Sequence, residues 1–481
     1  MKLVVVICHY FLFDYSFKHN CFEILDLILV INLKGEMMVH IFKIDDVYSC
    51  VDTNSGSIHI IDEITYKLLE NDSFKSAGSL DKLYSEFGKE SVDEAISEIN
   101  ELIENKMLYT DSIELNKNMK TAVKAMCLNI AHDCNLKCEY CFASQGNFKG
   151  AKNMMSLEVG KKAFDYLVKN SGNRVNLEVD FFGGEPLMNF DVVKELVAYG
   201  RSLEKEYNKH FRFTITTNGV LLDDDKMDFI NANMDNVVLS IDGRKEINDK
   251  MRKTINDKGS YDVIVQNFKK LVSKRNGKGY FARGTFTSNN LDFSEDVKHL
   301  HSLGFDSISV EPVVASPKES YALTDEHIDT LKDEYEKLAR YYIEANKNKD
   351  GGFDFFHFNI DIDNGPCVYK RSIGCGAGVE YLAVTPEGHF YPCHQFVGDE
   401  RFIIGNVDDG VTKTDIVDNF KSVSVNSKEK CKECWAKYYC SGGCHANAFN
   451  FNNNIKEPYT VGCELEKKRV ECSIFIKSKM I

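Results

Sequence analysis

Three cysteines that stand close together have the spacing of an iron–sulfur ligand loop. Cys134, Cys138 and Cys141 are separated by three residues and then by two, in the run Ala-His-Asp-Cys-Asn-Leu-Lys-Cys-Glu-Tyr-Cys-Phe. One loop with this spacing can place three thiolates on a 4Fe-4S cluster and leave its fourth iron open, where a small molecule can be bound and reduced. The next thiol lies more than two hundred residues further on, whereas zinc loops usually bring two Cys-x2-Cys pairs, so a closed zinc site is disfavoured.

A second group of residues has the chemistry to hold an amino-acid nucleoside. The pair Gly183-Gly184 lets backbone approach a ligand closely, and the carboxylate of Glu185 can accept a hydrogen bond from an ammonium group. Ser240 and Asp242 can hydrogen-bond a ribose, and two arginines can pair with a carboxylate. These arginines are Arg252 and Arg283. Each motif alone also fits an ordinary turn, so the prediction depends on their joint occurrence.

The elements between residues 116 and 345 would bring these residues together. Short apolar segments alternate there with longer amphipathic ones, as in parallel βα units. The predicted strands are 126–130, 177–182, 211–215, 237–241, 281–286 and 307–311. Six such units predict an open or partial barrel, in which polar residues just past the strand ends face a ligand.

Residues 38–115 have a different pattern, of short strands followed by helices. The predicted strands are 39–44, 47–52 and 57–60. Ser91 and Glu94 make a capping box, and the apolar residues after them recur at helical spacing. We interpret this segment as a small winged-helix-like module, which is either a structural cap or a holder of an extended peptide by strand addition.

The first 37 residues look foreign to the rest of the chain. Their apolar runs, 3–13 and 22–31, are broken by charged residues, are too short for a membrane span and precede no signal cleavage site. Lys34-Gly35-Glu36 could be encoded by a purine-rich stretch resembling a ribosome-binding site. We therefore predict no membrane association, and hypothesise that translation starts at Met37 or Met38 and that residues 1–37 are a non-native extension.

Composition limits the class of protein. The chain has 481 residues, of which 43% are apolar, enough for two or three domains with cores. Its net charge of -14 argues against nucleic acid as a substrate. The 16 cysteines cluster at metal-like spacings instead of spreading as in a disulfide-rich secreted protein, so we predict a reducing, cytoplasmic location.

The cysteine triplet with Tyr140 before its last cysteine, the Gly-Gly-Glu-Pro run and the six βα units resemble the radical S-adenosylmethionine (SAM) superfamily. The resemblance implies that one electron from the cluster cleaves SAM to methionine and a 5′-deoxyadenosyl radical, which removes a hydrogen from an unactivated carbon. By position it puts Tyr140 near the adenine, Gly184 and Glu185 near the methionyl amine, Ser240 near the ribose and Arg252 near the carboxylate. Gly183 and Arg283 complete the predicted SAM site.

Seven cysteines in residues 346–481 form a second constellation. They are Cys375, Cys393, Cys431, Cys434, Cys440, Cys444 and Cys463. The alternative is a zinc site that uses four of them with His445, but seven thiols beside a radical SAM core favour iron–sulfur clusters.

The spacing of these cysteines resembles the SPASM extension of enzymes that modify peptides or proteins, which implies two auxiliary 4Fe-4S clusters. One cluster would use Cys431, Cys434, Cys440 and Cys463, and the other would use Cys375, Cys393 and Cys444. For the fourth ligand of the latter, Cys367 and an open iron that takes a substrate thiolate both remain open.

Two reactions compete within this group: oxidation of a sulfatase cysteine or serine to formylglycine, and thioether formation from a cysteine sulfur to a carbon. Sulfatase maturases have an aspartate after the cysteine of a Tyr-Pro-Cys segment, as a base, whereas His394 follows Cys393 here. Residues 39–70, 374–381 and 391–397 together most resemble the maturases of SCIFF (six cysteines in forty-five residues) peptides, and that resemblance spans nearly all of residues 38–481. That resemblance implies a leader peptide bound as an added strand on the N-terminal module.

The prediction is therefore an α/β radical SAM enzyme that installs thioether crosslinks in a ribosomally made, cysteine-rich precursor peptide. A partial (β/α)6 barrel spans residues 116–345, between a peptide-recognition module in 38–115 and a SPASM domain in 346–481. The implied partners are the precursor peptide and a small electron donor such as a flavodoxin or ferredoxin. Anaerobic sulfatase maturation is the alternative.

Overall fold

The computed structural model describes residues 5–6, 38–75, 77–112, 121–347, 351–362 and 368–480. Except for Val5–Val6, the hypothesised extension 1–37 lies outside the described residues, and so does Cys367. The chain divides into two compact units. The first comprises Met1–Asn116, Ile360–Tyr369 and Glu433–Tyr439, and the second comprises Lys117–Asn359, Lys370–Lys432 and Cys440–Ile481. None of the described helices is both long and apolar enough to span a bilayer.

The first unit contains a small antiparallel sheet packed against three helices. Its strands are β1 (Val5–Val6), β2 (Val39–Ile44), β3 (Val47–Asp52) and β4 (Ile58–Ile61), and its helices are α1 (Glu63–Leu69), α2 (Ala77–Phe87) and α3 (Lys89–Glu104). The strand order is β1-β4-β3-β2, so β2 lies at one edge. Side chains alternate between the faces of a strand, and Cys50 and Ile61 join Leu68 and Ile99 of the helices in one buried core.

Helix α3 begins before the predicted capping box, and that prediction is wrong. Gly88, with φ of 84°, ends α2 by donating from its N–H to the carbonyl of Tyr84 at 3.1 Å. Its own carbonyl then accepts from Val92, so one glycine both terminates α2 and starts α3, and Ser91 falls inside the first turn. The predicted apolar face of the helix is confirmed, because Val92 and Ala95 are buried with the rest of the core.

The second unit is built on one large sheet. Its strands are β5 (Ala125–Ala131), β6 (Asn176–Gly183), β7 (His210–Thr217), β8 (Asn236–Ser240), β9 (Phe281–Phe286), β10 (Ser307–Pro312), β11 (Asp354–Phe355), β12 (Tyr381–Val384), β13 (His389–Tyr391), β14 (Gly405–Asn406) and β15 (Gly410–Val411). The order is β11-β10-β9-β8-β7-β6-β5-β12-β13-β14-β15. The strands from β11 to β12 in this order are parallel, and β13, β14 and β15 continue the sheet antiparallel.

Helices connect the parallel strands and then complete the chain. The connecting helices are α4 (Leu157–Asn170), α5 (Phe190–Tyr207), α6 (Asp224–Asn233), α7 (Lys245–Met251), α8 (Tyr261–Ser273), α9 (Phe293–Ser302) and α10 (Ile328–Asn346). The remaining helices are α11 (Val368–Arg371), α12 (Thr414–Lys421), α13 (Glu429–Lys432), α14 (Lys437–Cys440), α15 (His445–Asn452) and α16 (Thr460–Met480). α16 packs on α10, where Arg469 donates to the Tyr335 hydroxyl at 2.9 Å.

The six predicted βα strands are confirmed, each within two residues at either end. In β6, Leu177, Val179 and Phe181 are buried, whereas Glu178 is exposed and Asp180 and Phe182 are partly exposed. This alternation gives the sheet one apolar face and one polar face. The observed class is mixed α/β with a parallel sheet, as predicted, and the winged-helix and SPASM assignments stay predictions.

Candidate functional site

A cleft of about 340 Å³ lies in the second unit, where the parallel strands end. Asp242 does not line it, but the cleft brings together the other ten residues predicted for the first cluster and SAM. These are Cys134, Cys138, Tyr140, Cys141, Gly183, Gly184, Glu185, Ser240, Arg252 and Arg283. Parallel strands end at one edge of a sheet, and the cleft collects the residues that follow four of those ends.

The cysteine loop follows β5, and hydrogen bonds fix its first turn. The Asp133 carboxylate accepts from the Cys134 amide at 2.8 Å. The Leu136 amide and the Asn218 side chain lie 3.4 and 3.7 Å from the Cys134 sulfur, as donors suited to a thiolate. Burial raises the pKa of Cys134 to about 12 and that of Cys138 to about 11. The three cysteines of this loop are free thiols in one cleft, and N–H groups point at the sulfur of Cys134. This arrangement fits an iron–sulfur cluster, because a cysteine that binds iron does so as a thiolate, which accepts hydrogen bonds.

The glycine pair lets the end of β6 pack against this loop. A Cβ at Gly184 would collide with the carbonyl of Asp133, and one at Gly183 with the carbonyl of Ala131. The Gly184 amide donates to Ala131 at 2.8 Å, and the Glu185 amide donates to Asp133 at 2.9 Å. The close approach that requires glycine here is therefore to the cysteine loop, and contact with SAM stays a prediction.

Glu185 ties two strand ends together. Its buried carboxylate accepts from the Thr217 hydroxyl at 2.8 Å and from the amides of Asn218 and Leu187 at 2.8 and 3.1 Å. Burial raises its pKa to about 7, although these donors oppose the shift. Glu185 thereby positions Asn218, whose side chain donates to Asn135 at 2.7 Å. No role was predicted for Asn218 from the sequence, although the residue directly follows the end of β7, a predicted βα strand.

Tyr140, Asp242 and Arg252 form a hydrogen-bonded group at the wall of the cleft. The Tyr140 hydroxyl lies 2.8 and 2.7 Å from the Asp242 carboxylate oxygens and accepts from Arg252 at 2.8 Å. Asp242 is fully buried and also accepts from the Thr285 amide, so it orients Tyr140 and Arg252 and is not among the residues that line the cleft. Arg252 Nε is buried without a hydrogen-bond partner in the described residues, which fits an anionic ligand such as a carboxylate.

Arg283 has a carboxylate partner of its own. Its guanidinium pairs bidentately with Glu311 of β10, and both residues line the cleft. Burial opposes ionisation of Glu311, but Arg283 and more distant cations hold its pKa at about 2. Sequence reasoning missed Glu311, although a charged residue at the end of an apolar strand was a signal.

Residues from the cysteine-rich part also line the cleft, namely His394, Gln395, Cys444 and Asn447. His394 Nδ1 lies 3.0 Å from the Tyr381 hydroxyl, and its ring contacts Phe142 and Phe182 at centroid distances of 5.7 and 5.1 Å. Burial lowers the pKa of His394 to about 4, so the imidazole is neutral at pH 7.

The other predicted cluster cysteines fall into two sets. Cys393 interacts electrostatically with Cys375 and Cys444, the set predicted for one auxiliary cluster. Cys431, Cys440 and Cys463 also belong to the second unit, whereas Cys434 belongs to the first. In the described part of the chain, no three or more His, Cys, Asp or Glu side chains converge on a site for a single metal ion.

Comparison with known proteins agrees with these features. The Radical SAM superfamily profile matches residues 128–280. A cysteine-type anaerobic sulfatase-maturating enzyme of Clostridium novyi is 27% identical over 71% of this chain and 92% of that protein. An uncharacterized protein of Methanocaldococcus jannaschii is 32% identical over 47% of this chain and 74% of that protein.

Two solved structures share the fold. The structure of anSMEcpe with bound AdoMet gives a TM-score of 0.60 at 20% identity, over 73% of this chain and 96% of that one. Streptococcus suis SuiB bound to precursor peptide SuiA gives a TM-score of 0.53 at 17% identity, over 88% of this chain and 98% of that one. The superfamily profile match to residues 128–280, with the cysteine loop and the strand-end residues in one cleft, leads to one conclusion: the chain is an enzyme of the radical SAM superfamily.

Proposed function

We propose that this enzyme installs thioether crosslinks in a ribosomally made, cysteine-rich precursor peptide, which it binds through a leader segment. The observation that carries the proposal is the position of β2 at one edge of the described sheet of the first unit. Among the described residues, β2 pairs with β3 alone, and its other side presents backbone groups that an extended peptide can pair with.

Most side chains of β2 are at least partly buried, which favours its edge as the surface for a partner. Val39 and Ile41 pack on the helical core, and Phe42 is buried. His40 stacks on Trp435, with ring centroids 3.8 Å apart and planes 7° apart. A leader would therefore gain its affinity from main-chain hydrogen bonds along the edge.

The extent of the structural matches supports a peptide substrate with a leader. The fold shared with peptide-bound SuiB spans 88% of this chain, whereas the fold shared with anSMEcpe spans 73%. The SuiB match thus includes a larger part of this chain than the barrel and its extension alone. Fold similarity of this kind supports the architecture, and the substrate is our proposal.

In the cleft, Cys134, Cys138 and Cys141 would hold the SAM-binding 4Fe-4S cluster, and Arg252 offers its unpartnered Nε to the SAM carboxylate. When bound, these groups supply a 5′-deoxyadenosyl radical for hydrogen abstraction, and auxiliary clusters supply an acceptor for the electron that C–S bond formation releases. The residues of the chain bind and orient: Asp242 fixes Arg252, and Glu185 fixes Asn218 beside the cysteine loop.

The auxiliary clusters are part of the proposal. Cys375, Cys393 and Cys444 would hold one, with Cys367 or a substrate thiolate as the fourth ligand, and Cys431, Cys434, Cys440 and Cys463 would hold the other. Cys444 lines the same cleft as the cysteine triplet, which supports delivery of a peptide thiol close to the radical site. A small electron donor such as a flavodoxin or ferredoxin in the cytoplasm would supply the reducing electron.

Anaerobic sulfatase maturation is the second candidate, favoured by the 27% identity to a maturase of that class. Against it stands His394, which occupies the position where those enzymes are expected to carry an aspartate base. His394 is buried against Phe142 and Phe182, and its imidazole, whose pKa burial lowers to about 4, does not reproduce that carboxylate.

The deciding experiment is anaerobic incubation of the reconstituted enzyme with SAM, dithionite and one of three peptides. They are a cysteine-rich precursor peptide with its leader, the same peptide without its leader, and a cysteine-type sulfatase peptide. We expect the full precursor to lose two hydrogens per crosslink and its cysteines to stop reacting with iodoacetamide, with much slower reaction of the leaderless form. Formylglycine in the sulfatase peptide, with the precursor unchanged, would establish the second candidate instead.

A further inference from the structure

Lys428 is a buried lysine in the cysteine-rich part of the second unit. The residue is 2% exposed, and its ammonium donates to the backbone carbonyl of Gly442 at 2.6 Å. Within the described ranges, the structure gives it no carboxylate partner. An ammonium taken out of water without an anion is strongly disfavoured, so this site calls for negative charge.

The groups around the ammonium are thiols. Burial lowers the pKa of Lys428, and four cysteines oppose that shift: Cys431, Cys440, Cys463 and Cys444. The carbonyl of Lys428 accepts from the Cys431 amide at 3.0 Å, while its side chain holds the turn two residues before Cys444. Lys428 is thus joined to two cysteine loops, one through its backbone and one through its ammonium.

These two loops belong to different proposed clusters, since Cys431 is assigned to one and Cys444 to the other. His445, beside Cys444, is also buried, and neither of its ring nitrogens has a hydrogen-bond partner in the part of the chain that the structure describes. A buried ammonium whose hydrogen bond goes to a neutral carbonyl, beside a buried imidazole without a hydrogen-bond partner among the described residues, fits a site filled by anionic thiolates and sulfides. The donor set therefore fits iron–sulfur clusters here.

We infer that Lys428 is a shared counter-charge of the two auxiliary clusters, which raises their reduction potentials and makes them better electron acceptors. The inference rests on the proposed clusters. Reduction adds a negative charge, and a fixed ammonium in a water-poor site favours the more negative state. Once the 5′-deoxyadenosyl radical has taken one hydrogen atom, closing the C–S bond releases the thiol proton and one electron, which an oxidised auxiliary cluster accepts.

The test compares three single variants in a full-length background that lacks the SAM cluster through Cys134→Ala, Cys138→Ala and Cys141→Ala. Lys428→Met removes the charge at similar volume, and Lys428→Arg keeps it. Lys432→Met is the matched control, because that side chain is 47% exposed and pairs with Glu429 at 2.7 Å. The readouts are iron and sulfide content and the cluster midpoint potentials, measured by redox titration followed by electron paramagnetic resonance.

We expect Lys428→Met to lower the midpoint potential of at least one cluster. At a fixed potential, the ratio of reduced to oxidised cluster should fall about tenfold, which corresponds to 59 mV for a one-electron couple. Lys428→Arg should restore iron content and potential, and Lys432→Met should leave both unchanged. Full iron content with unchanged potentials in Lys428→Met overturns the inference, as does lost iron that Lys428→Arg does not restore. If the wild-type chain binds only about four irons in total, the auxiliary clusters are absent and the inference fails with them.

Discussion

Arg283 of β9 and Glu311 of β10 form a bidentate ion pair in the wall of the cleft, with Nε 3.1 Å from Oε1 and Nη2 2.9 Å from Oε2. The side chains are 48% and 34% exposed, because the cleft admits water. Bidentate guanidinium–carboxylate geometry fixes both planes, so the pair holds Arg283 in one orientation toward the cleft.

Glu311→Gln should lower the free energy of unfolding by about 1 kcal/mol, because a charge-assisted pair is lost in a partly screened site. Urea unfolding of the cluster-loaded enzyme under nitrogen measures the change. Glu178→Gln is the control, since Glu178 and Arg212 of the same sheet are 3.8 Å apart and both more than half exposed. Equal shifts in the two variants would mean that the Arg283–Glu311 geometry adds nothing to stability.

Gly184→Ala should displace the cysteine loop. Its Cβ would collide with the backbone carbonyl of Asp133, which cannot rotate away as a side chain can. We expect the loss of about four irons per chain, the content of one cluster, and the end of 5′-deoxyadenosine release. Gly78→Ala in exposed α2 is the control, because nothing lies within 4 Å of its added Cβ. Unchanged iron in Gly184→Ala would contradict this account of the glycine pair.

Lys43→Pro should weaken leader binding at least about tenfold, because proline removes an edge N–H that an added strand would use. The two-residue turn after Ile44 sets the register, in which the backbone groups of Ile44 and Phe42 face β3. The amide of Lys43, between them, therefore faces the outer edge of the sheet. Fluorescence of Trp435, the single tryptophan, reports binding through its stack on His40.

Lys43→Ala is the matched control for this strand. It removes the contact from the lysine ammonium to the Tyr48 hydroxyl at 2.8 Å but keeps the amide. Affinity should therefore stay close to that of the wild type. If the proline and alanine variants bind the leader equally well, the peptide docks elsewhere.

His394→Asp should reduce crosslinking more than tenfold without creating formylglycine activity. A carboxylate that contacts Phe142 and Phe182 in this buried site is disfavoured by desolvation. His394→Gln, which stays neutral and polar, should keep most of the activity. Mass spectrometry of the precursor and of a sulfatase peptide, at equal iron content, measures both reactions. Formylglycine from the aspartate variant would show that this one position selects the reaction.

Much of the fold was predictable because it depends on local patterns. The six parallel strands follow from short apolar runs between amphipathic segments, and their ends carry the predicted cleft residues in the right order. The start of α3 was not predictable from Ser91 and Glu94, because Gly88 supplies a turn that serves two helices. The end of α2 at Gly88 therefore sets the start of α3, and the local capping signal does not.

The chemistry of the cysteine triplet could be predicted from residue order, because the covalent chain sets the spacing of Cys134, Cys138 and Cys141. Tertiary structure alone decided what surrounds it: the Tyr140 hydroxyl meets Asp242, 102 residues away, and the guanidinium of Arg283 meets Glu311 on the next strand. Only folding puts Lys428 beside the thiols of two distant loops. Such partners depend on sheet register and burial, which residue spacing along the chain does not encode.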